Sequence, residues 1–303
     1  MAEAIVTIPP IGRENLIGSV LNHVCQIMYQ TENTDVDNGR YVAWDFSRCS
    51  FLHPFFLGAL SVLKSIYGDF VKCRNIPPAI ADYLNLIYFH EPLLICPDRN
   101  DNRIWNRYYN KSYLPICKFD AHNEASIRAQ ELVQAAVNHQ LGGRTHQILS
   151  YLLSELIDNI TDHSHSEYGY VFCQRIPRQK ALYVFIADVG NTIYASYATD
   201  QRYADALDNR ESSALVLALN GKSTKNRPDN ENRGYGISKT RKLVVEGLGG
   251  EFFLLSGSAF ARHDFHGELV ADLPESLRWE GTIALLKIPT ETPADLNIYD
   301  YIS

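Results

Sequence analysis

Four side chains capable of binding or catalytic chemistry recur at every fourth position in the segment Gln147–His163. They are Tyr151, Glu155, Asn159 and His163. Residues four apart on a helix stack above one another, so a carboxylate, an amide and an imidazole would share one face. A carboxylate can serve as a general base, and an amide oxygen can bind a metal ion. For an isolated helix a solvent-exposed polar face is the simpler interpretation, but three later segments favour the chemical one.

The same segment is predicted to be a helix because its apolar residues follow helical spacing. They form one continuous stripe that should face a core, made of Ile148, Leu149, Leu152, Leu153, Leu156, Ile157 and Ile160. The polar face lies beside this stripe, so the helix is expected to carry its functional groups along the border of the core.

The first of the later segments is a buried strand that ends in a carboxylate. The apolar run Ala181–Ala187 predicts the strand, and Asp188, Gly190, Thr192 and Ile193 follow it. A strand that runs directly into an aspartate places that carboxylate at the end of a sheet. Because Gly190 has no side chain, a ligand ring can approach the backbone there.

The second segment is a long charged loop after a helix predicted at Glu211–Leu219. Loops of this length inside a compact domain are usually lids or binding loops. Its hydroxyl and cationic side chains are Lys222, Ser223, Thr224, Lys225, Arg227 and Arg233.

The third segment is the sequence Gly234-Tyr235-Gly236, which precedes a helix predicted at Ile237–Glu246. Glycines at a helix N-terminus present free N–H groups, which favour phosphate. A dinucleotide fingerprint is excluded, because it needs a preceding strand and a third glycine. A charged loop precedes this pair, and Lys239 stands at the position of the third glycine.

The order of these segments resembles the GHKL (Bergerat-fold) ATP-binding domain, a superfamily that includes histidine kinases and anti-sigma serine kinases. The shared pattern is Glu-x-x-x-Asn-x-x-x-His on a helix, Asp-x-Gly after a strand, a Lys/Ser/Thr loop, Gly-x-Gly before a helix, and Gly-Thr on the last strand, Gly281–Ile288. The resemblance spans residues 123–290. It implies an α/β fold of the α+β sandwich type, in which helices cover a mixed sheet, and it implies ATP and Mg²⁺ as ligands.

The resemblance also implies a role for each matching residue. Glu155 would be the general base, Asn159 would ligate Mg²⁺, and His163 would lie near the phosphates. Asp188 would accept a hydrogen bond from the adenine amino group, with Gly190 beneath the ring. The other residues implied in nucleotide binding are Thr192, Ile193, Lys222, Ser223, Thr224, Lys225, Arg233, Gly234, Tyr235, Gly236, Ile237 and Thr282. Thr192 departs from the pattern, since the family has a second glycine there, and it is expected to narrow the pocket.

Residues 1–90 predict a smaller α/β domain in which strands and helices alternate. The stretch Tyr41–Leu63, an apolar strand ending in Asp45 followed by a helix with a glycine near its start, resembles the centre of STAS domains. Phosphorylatable members have Ser or Thr at the start of that helix, whereas this chain has His53 and Pro54, so no phosphoswitch is expected. A purely structural α/β unit would have the same pattern, and that alternative remains open.

Residues 91–122 are predicted to connect this domain to the ATP-binding domain, residues 123–303. The 303 residues carry a net charge of −7, which disfavours nucleic acid as a partner. No apolar run is long enough for a membrane span, and no export signal is recognised at the N-terminus. Six scattered cysteines without a C-x-x-C pair suggest a reducing compartment. The chain is therefore expected in the cytoplasm.

Three functions remain open at the level of sequence. The chain would be an ATP-driven regulatory switch that signals through its first domain or a partner, an anti-sigma-type serine/threonine kinase that acts on another protein, or a nucleotide-binding module without turnover. The presence of Glu155 argues against the last, because binding alone needs no base. A protein partner or substrate is expected, and a homodimer is left open.

Overall fold

A computed structural model describes residues 4–12, 17–34, 41–97, 102–138, 143–224 and 236–302. The chain divides into two compact units: unit 1 contains residues 1–93 and 115–117, and unit 2 contains residues 94–114 and 118–303. The predicted mixed α/β class is confirmed, with helices against sheets of mixed strand orientation.

Unit 1 alternates strands and helices around a small parallel sheet. Its elements are β1 (Ala4–Thr7), α1 (Ile17–Glu32), β2 (Val42–Asp45), α2 (Pro54–Tyr67), β3 (Val71–Arg74) and α3 (Pro78–Leu86). The strand order is β1-β2-β3, and both pairs are parallel. The central strand β2 is covered on both faces, and its Trp44 is fully buried with the indole N–H donating to Thr31 Oγ1 at 3.0 Å.

Helix α2 begins where the sequence predicted, at Pro54. His53 precedes it and accepts the Phe55 N–H through its ring nitrogen Nδ1 at 3.2 Å. This bond satisfies one of the free N–H groups that every helix start leaves. His53, which occupies the place where phosphorylatable STAS domains have a Ser or Thr, therefore caps this helix, and its side chain is buried.

Unit 2 is built on an eight-stranded sheet with the order β10-β9-β8-β11-β7-β6-β5-β4. Its strands are β4 (Leu93–Ile95), β5 (Cys117–Asp120), β6 (Tyr168–Ile176), β7 (Ala181–Asp188), β8 (Glu251–Gly257), β9 (Ala259–Asp264), β10 (Gly267–Asp272) and β11 (Trp279–Pro289). The helices are α4 (Asn102–Trp105), α5 (Ala125–Asn138), α6 (Gly143–Asn159), α7 (Ile193–Ala198), α8 (Ala204–Leu207), α9 (Glu211–Leu219), α10 (Gly236–Lys242) and α11 (Tyr299–Ile302).

The centre of this sheet is its most buried part. Every residue of β7 is buried, and β11 lies antiparallel between β7 and β8. The register pairs Ile283 with Ala187 on one side and with Leu255 on the other. This register brings the start of β11 to the end of β7, where Asp188 lies.

Two elements of unit 2 were not predicted, β9 and α7. The apolar residues of Phe265–Val270 predict a strand, which corresponds to β10, but β10 begins two residues later because Phe265 and His266 lie in the turn between β9 and β10. β10 is an edge strand with no buried residue.

No helix among the described residues is long and apolar enough to cross a membrane.

The central position of β11 predicts a large cost for truncating its core side chains. Leu285→Ala removes a fully buried side chain between β7 and β8, so the free energy of unfolding should fall by about 3 kcal/mol, as expected for leucine truncation in a core. The matched control is Leu269→Ala on edge strand β10, where the side chain is 44% exposed and less than about 1 kcal/mol should be lost. Urea unfolding measures both, and equal losses would contradict this account of the sheet.

Candidate functional site

One cavity in unit 2 brings together most of the residues that the sequence singled out. Helices α6, α7 and α10, strands β7 and β11, and the chain after α9 all contribute to its wall. The predicted residues that line it are Asn159, His163, Asp188, Ile193, Lys222, Ser223, Thr224, Gly236, Ile237 and Thr282. The cavity has a volume of about 100 Å³, measured as the space open to the centre of a water-sized sphere.

Asp188 is the buried polar group of this cavity. Its side chain is 3% exposed, and Oδ1 accepts the Gly190 N–H at 3.0 Å. The Thr282 N–H also donates to the carboxyl group. Burial raises the pKa of Asp188 to about 7, and the two N–H donors offset this only in part. A carboxyl with this pKa changes charge near neutral pH, which is a frequent property of functional sites.

Glycine is needed opposite Asp188 because the strand β11 approaches it closely. Gly281 has a φ of +96°, and a Cβ atom there would lie 2.5 Å from Asp188 Oδ1. The Asp188 carbonyl in turn accepts the Trp279 indole N–H at 3.1 Å. The Gly-Thr sequence at residues 281 and 282 thus lets the start of β11 enclose the carboxyl group.

Gly190 lies beside the cavity and makes close contact with protein backbone. A Cβ atom at this position would lie 2.0 Å from the Ser164 carbonyl oxygen. The neighbouring Asn191 N–H donates to that same oxygen. The face of Gly190 on which a side chain would stand is therefore occupied by the backbone of Ser164 and Ser166.

The close contact at Gly190 arises from a π turn that was not predicted. Helix α6 ends at Asn159, and a π turn follows at Ile160–Ser164. The straight helix expected through His163 is interrupted, yet His163 still lines the cavity. Single π turns inside helices are frequent at functional sites.

Thr192 has a structural role at the start of α7. Its Oγ1 accepts the Ala195 N–H at 3.1 Å, and its φ of −72° needs no glycine. The residues on either side of it, Asn191 and Ile193, line the cavity, whereas Thr192 does not. In this chain the departure from the family pattern supplies a helix cap.

Glu155, Asn159 and Gly236 meet where α10 begins. A Cβ atom at Gly236 would lie 2.5 Å from Glu155 Oε2 and 3.5 Å from Asn159 Nδ2. Glycine is therefore required for α10 to pack against this face of α6. Asn159 lines the cavity, while Glu155 lies beside the wall and is not part of it.

The residues present fit the Mg²⁺ that the resemblance implies. The Asn159 Nδ2 atom is buried and has no hydrogen-bond partner in the described part of the chain. A buried amide of this kind normally has a partner, and rotating the carboxamide by half a turn would present its oxygen instead. The described residues contain no group of three or more His, Cys, Asp or Glu suited to a metal ion. Mg²⁺ often uses few protein ligands, with phosphates and water completing its shell.

The remaining predicted residues fall into two groups. Lys222, Ser223 and Thr224 line the cavity. Lys225, Arg233, Gly234 and Tyr235 lie outside the residues that the structure describes.

Sequence reasoning missed the apolar wall and much of α7. Ile186, Leu254 and Ala284 form part of the wall, as do Ser196 and Tyr197. The sequence did contain a signal for Ile186: it is two residues before Asp188, and residues two apart in a strand lie on the same face of the sheet. Leu254 and Ala284 come from strands distant in sequence, and no local pattern assigns them to this cavity.

A second, more polar cavity adjoins the first. The two cavities share His163, Asn191, Ser196 and Thr224, and the second adds His165 and Arg202 among its walls.

Comparisons of the chain with protein-family models, with curated proteins and with solved structures found no match.

The raised pKa of Asp188 predicts a pH-dependent cost of folding. The folded protein holds this proton up to pH about 7, while the unfolded chain releases it near 3.9. The contribution of protonated Asp188 to the free energy of unfolding is therefore complete below pH 4, falls between pH 4 and 7, and is lost above pH 7. Asp188→Asn does not titrate, so its free energy of unfolding relative to wild type should rise by about 4 kcal/mol from pH 4 to pH 8. Urea unfolding across this pH range measures the difference.

Asp45→Asn is the matched control for that series. Hydrogen bonds from Ser47, with Asn75 and Arg74 nearby, hold the pKa of Asp45 at about 2. Asp45 is thus ionised in both the folded and the unfolded state above pH 5. The difference in free energy of unfolding between Asp45→Asn and wild type should therefore be constant from pH 5 to 8. If the difference in free energy of unfolding between Asp188→Asn and wild type were also constant with pH, burial would not raise the pKa of Asp188, and the prediction would be wrong.

The contact at Gly190 predicts that even a methyl group is not tolerated. Gly190→Ala should lower the free energy of unfolding by about 1–3 kcal/mol, because the Ser164 carbonyl must move. Gly18→Ala is the control, since it lies on an exposed face of α1 with open space around it. It should raise stability by about 0.5–1 kcal/mol through helix propensity. Thermal unfolding of both variants measures this, and a neutral Gly190→Ala would show that the corner is not tightly packed.

Proposed function

We propose that unit 2 binds ATP with Mg²⁺ in the manner of the GHKL family and that the protein is a nucleotide-dependent regulator. The observation that carries this proposal is the carboxyl group of Asp188, buried at the end of β7 in a cavity with apolar walls. A carboxylate can accept about four hydrogen bonds, and the N–H groups of Gly190 and Thr282 supply two, so this arrangement favours a planar ligand that donates a further one.

Adenine is the base that suits this carboxyl group. Its amino group donates a hydrogen bond, which an ionised carboxylate accepts. A 6-oxo purine presents an acceptor at the same place, which would oppose the carboxylate. Sites built to bond a substrate N–H reject analogues that lack it by large factors. The apolar side chains of Ile186, Leu254 and Ala284 supply the walls for the flat ring.

A hydroxyl pair beside Asp188 supports the same orientation. Ser256 Oγ donates to the Gly281 carbonyl at 2.9 Å, accepts the Ile193 N–H at 2.9 Å, and lies 3.1 Å from Thr282 Oγ1. These bonds connect β8, β11 and the start of α7. The Thr282 hydroxyl is thereby held at the cavity wall, where it can contact the base or a water molecule beside it.

The opposite end of the cavity suits the phosphates. Lys222 supplies a cation, Ser223 and Thr224 supply hydroxyl groups, and His163 lies between this end and the second cavity. Asn159 would hold Mg²⁺, which supplies neutralising charge to phosphate oxygens when bound.

Glu155 is the residue on which turnover depends in this proposal. It lies against Gly236, next to Asn159, and would act as a general base for an attacking hydroxyl group or water. A hydroxyl of another protein would make the chain a serine/threonine kinase in trans, and water would make it an ATPase switch. A module that only binds nucleotide would not lose function when Glu155 is replaced.

Unit 1 is proposed to contact a protein partner. The parallel sheet and helix α2 support its resemblance to STAS domains, and the cap formed by His53 supports a unit that is not switched by phosphorylation at that helix.

The proposal predicts a specific order of nucleotide affinities. Wild type should bind a fluorescent ATP analogue more tightly with Mg²⁺ than without it. Asp188→Asn should lose at least about 100-fold in affinity, because its amide group opposes the adenine amino group, and inosine triphosphate should compete at least about 100-fold less well than ATP. Glu155→Ala should bind as wild type does but release no phosphate. Fluorescence titration and a phosphate-release assay measure these quantities.

Asp158→Asn is the control for these variants, since it lies on the exposed face of the same helix and should change neither binding nor turnover. If wild type fails to bind, the proposed function is wrong. If wild type binds and Glu155→Ala still turns over at the same rate, nucleotide binding stands and the role of Glu155 is wrong.

A further inference from the structure

The chain directly after helix α9 is held by hydrogen bonds to two consecutive backbone carbonyls. Tyr197 OH donates to the Lys222 carbonyl, and Tyr203 OH donates to the Ser223 carbonyl at 2.9 Å. Arg202 Nη2 donates to the same Ser223 carbonyl at 3.3 Å. Three donors from the segment 197–203 therefore fix the backbone of Lys222 and Ser223.

The two tyrosines are themselves held in place. Their rings meet edge to face with centroids 5.1 Å apart, and Tyr197 is buried. Asp200 Oδ1 accepts Arg202 Nε at 3.0 Å, and the guanidinium lies 5.4 Å from the centre of the Tyr203 ring. Burial raises the pKa of Tyr197, so its hydroxyl group stays a hydrogen-bond donor at neutral pH.

These bonds act on the backbone of two residues that line the cavity, Lys222 and Ser223, and Tyr197 lines it as well. A carbonyl group held by a hydrogen bond limits the backbone rotation of its residue, and so limits the positions that its side chain can reach. Pre-positioned groups bind more strongly because less conformational entropy is lost on binding.

We propose that Tyr203, with Tyr197, is a positioning residue that holds Lys222 and Ser223 toward the phosphates of the bound nucleotide. The proposal rests on the function proposed above and adds selectivity to it: the pair favours phosphorylated adenine compounds over adenosine. Tyr203 acts through Ser223 and Tyr197 through Lys222, and neither hydroxyl group contributes to binding of the adenine ring.

The test compares ATP and adenosine as ligands of Tyr203→Phe in the full chain. The variant keeps the ring, and thus its packing, but loses the hydrogen bond to Ser223. ATP affinity should fall about three- to tenfold, which corresponds to one hydrogen bond, while adenosine affinity stays at the wild-type value. Calorimetric titration measures both. Tyr183→Phe is the matched control, because its hydroxyl bond to Gln179 at 2.6 Å lies toward the other end of β7, and it should change neither affinity.

A double-substitution cycle separates positioning from general stability. In the background Ser223→Ala, the change Tyr203→Phe should have a clearly smaller effect on ATP affinity, since Tyr203 acts through the residue whose side chain is already removed. Additive effects would overturn the proposal, as would an equal loss for ATP and adenosine or no loss at all. If wild type binds neither ligand, the proposed function fails and this inference fails with it. Wild-type binding with unchanged affinities in Tyr203→Phe contradicts this inference alone.

Discussion

The burial of Asp188 at the end of β7 is the constraint on which the rest of the site depends. A carboxyl group with 3% exposure and a pKa near 7 is held there by N–H donors from Gly190 and Thr282. Burial of this kind costs stability at neutral pH, and proteins accept such costs mainly where a function requires the group. Gly281 follows from it, since only glycine lets β11 pass so close to the carboxyl group, and Gly190 donates its N–H to the same group.

The surrounding elements are arranged so that this one group faces an enclosed space. The β11 strand passes between β7 and β8, which brings Thr282 to Asp188 and Ser256 to Thr282. The π turn after Asn159 brings the Ser164 carbonyl to Gly190 and the side chain of His163 to the cavity. The wall around Asp188 is therefore formed by core strands, whereas Lys222 and Ser223 belong to a short segment held by Tyr197 and Tyr203.

Much of this arrangement could be predicted from sequence because it depends on local patterns. The apolar spacing of α6, the continuous apolar run of β7 and the proline at the start of α2 each predict one element. The predicted order of motifs also placed Asn159, Asp188, Lys222 and Thr282 at one cavity.

The remainder depends on contacts between segments distant in sequence. The backbone contact at Gly190 and the capping bond of Thr192 were not predicted, because the Ser164 carbonyl and the start of α7 meet these residues only in the folded chain. The β9 strand was missed because its buried positions carry Ala259, Ala261 and His263, which give only a weak apolar alternation in the sequence. Leu254 and Ala284 line the cavity because β8 and β11 are neighbours in the sheet. The order of strands in a sheet cannot be predicted from any single segment of the sequence.

The central claim, that the Asp188 carboxylate accepts the adenine amino group, can be tested most directly by a ¹³C NMR titration of this carboxyl group. The free protein should show a pKa near 7 for Asp188. Saturation with adenosine should lower that pKa, because a new donor favours the charged form while little further water is removed from a group already buried. An ordinary pKa in the free protein, or a pKa that adenosine leaves unchanged, would contradict the account.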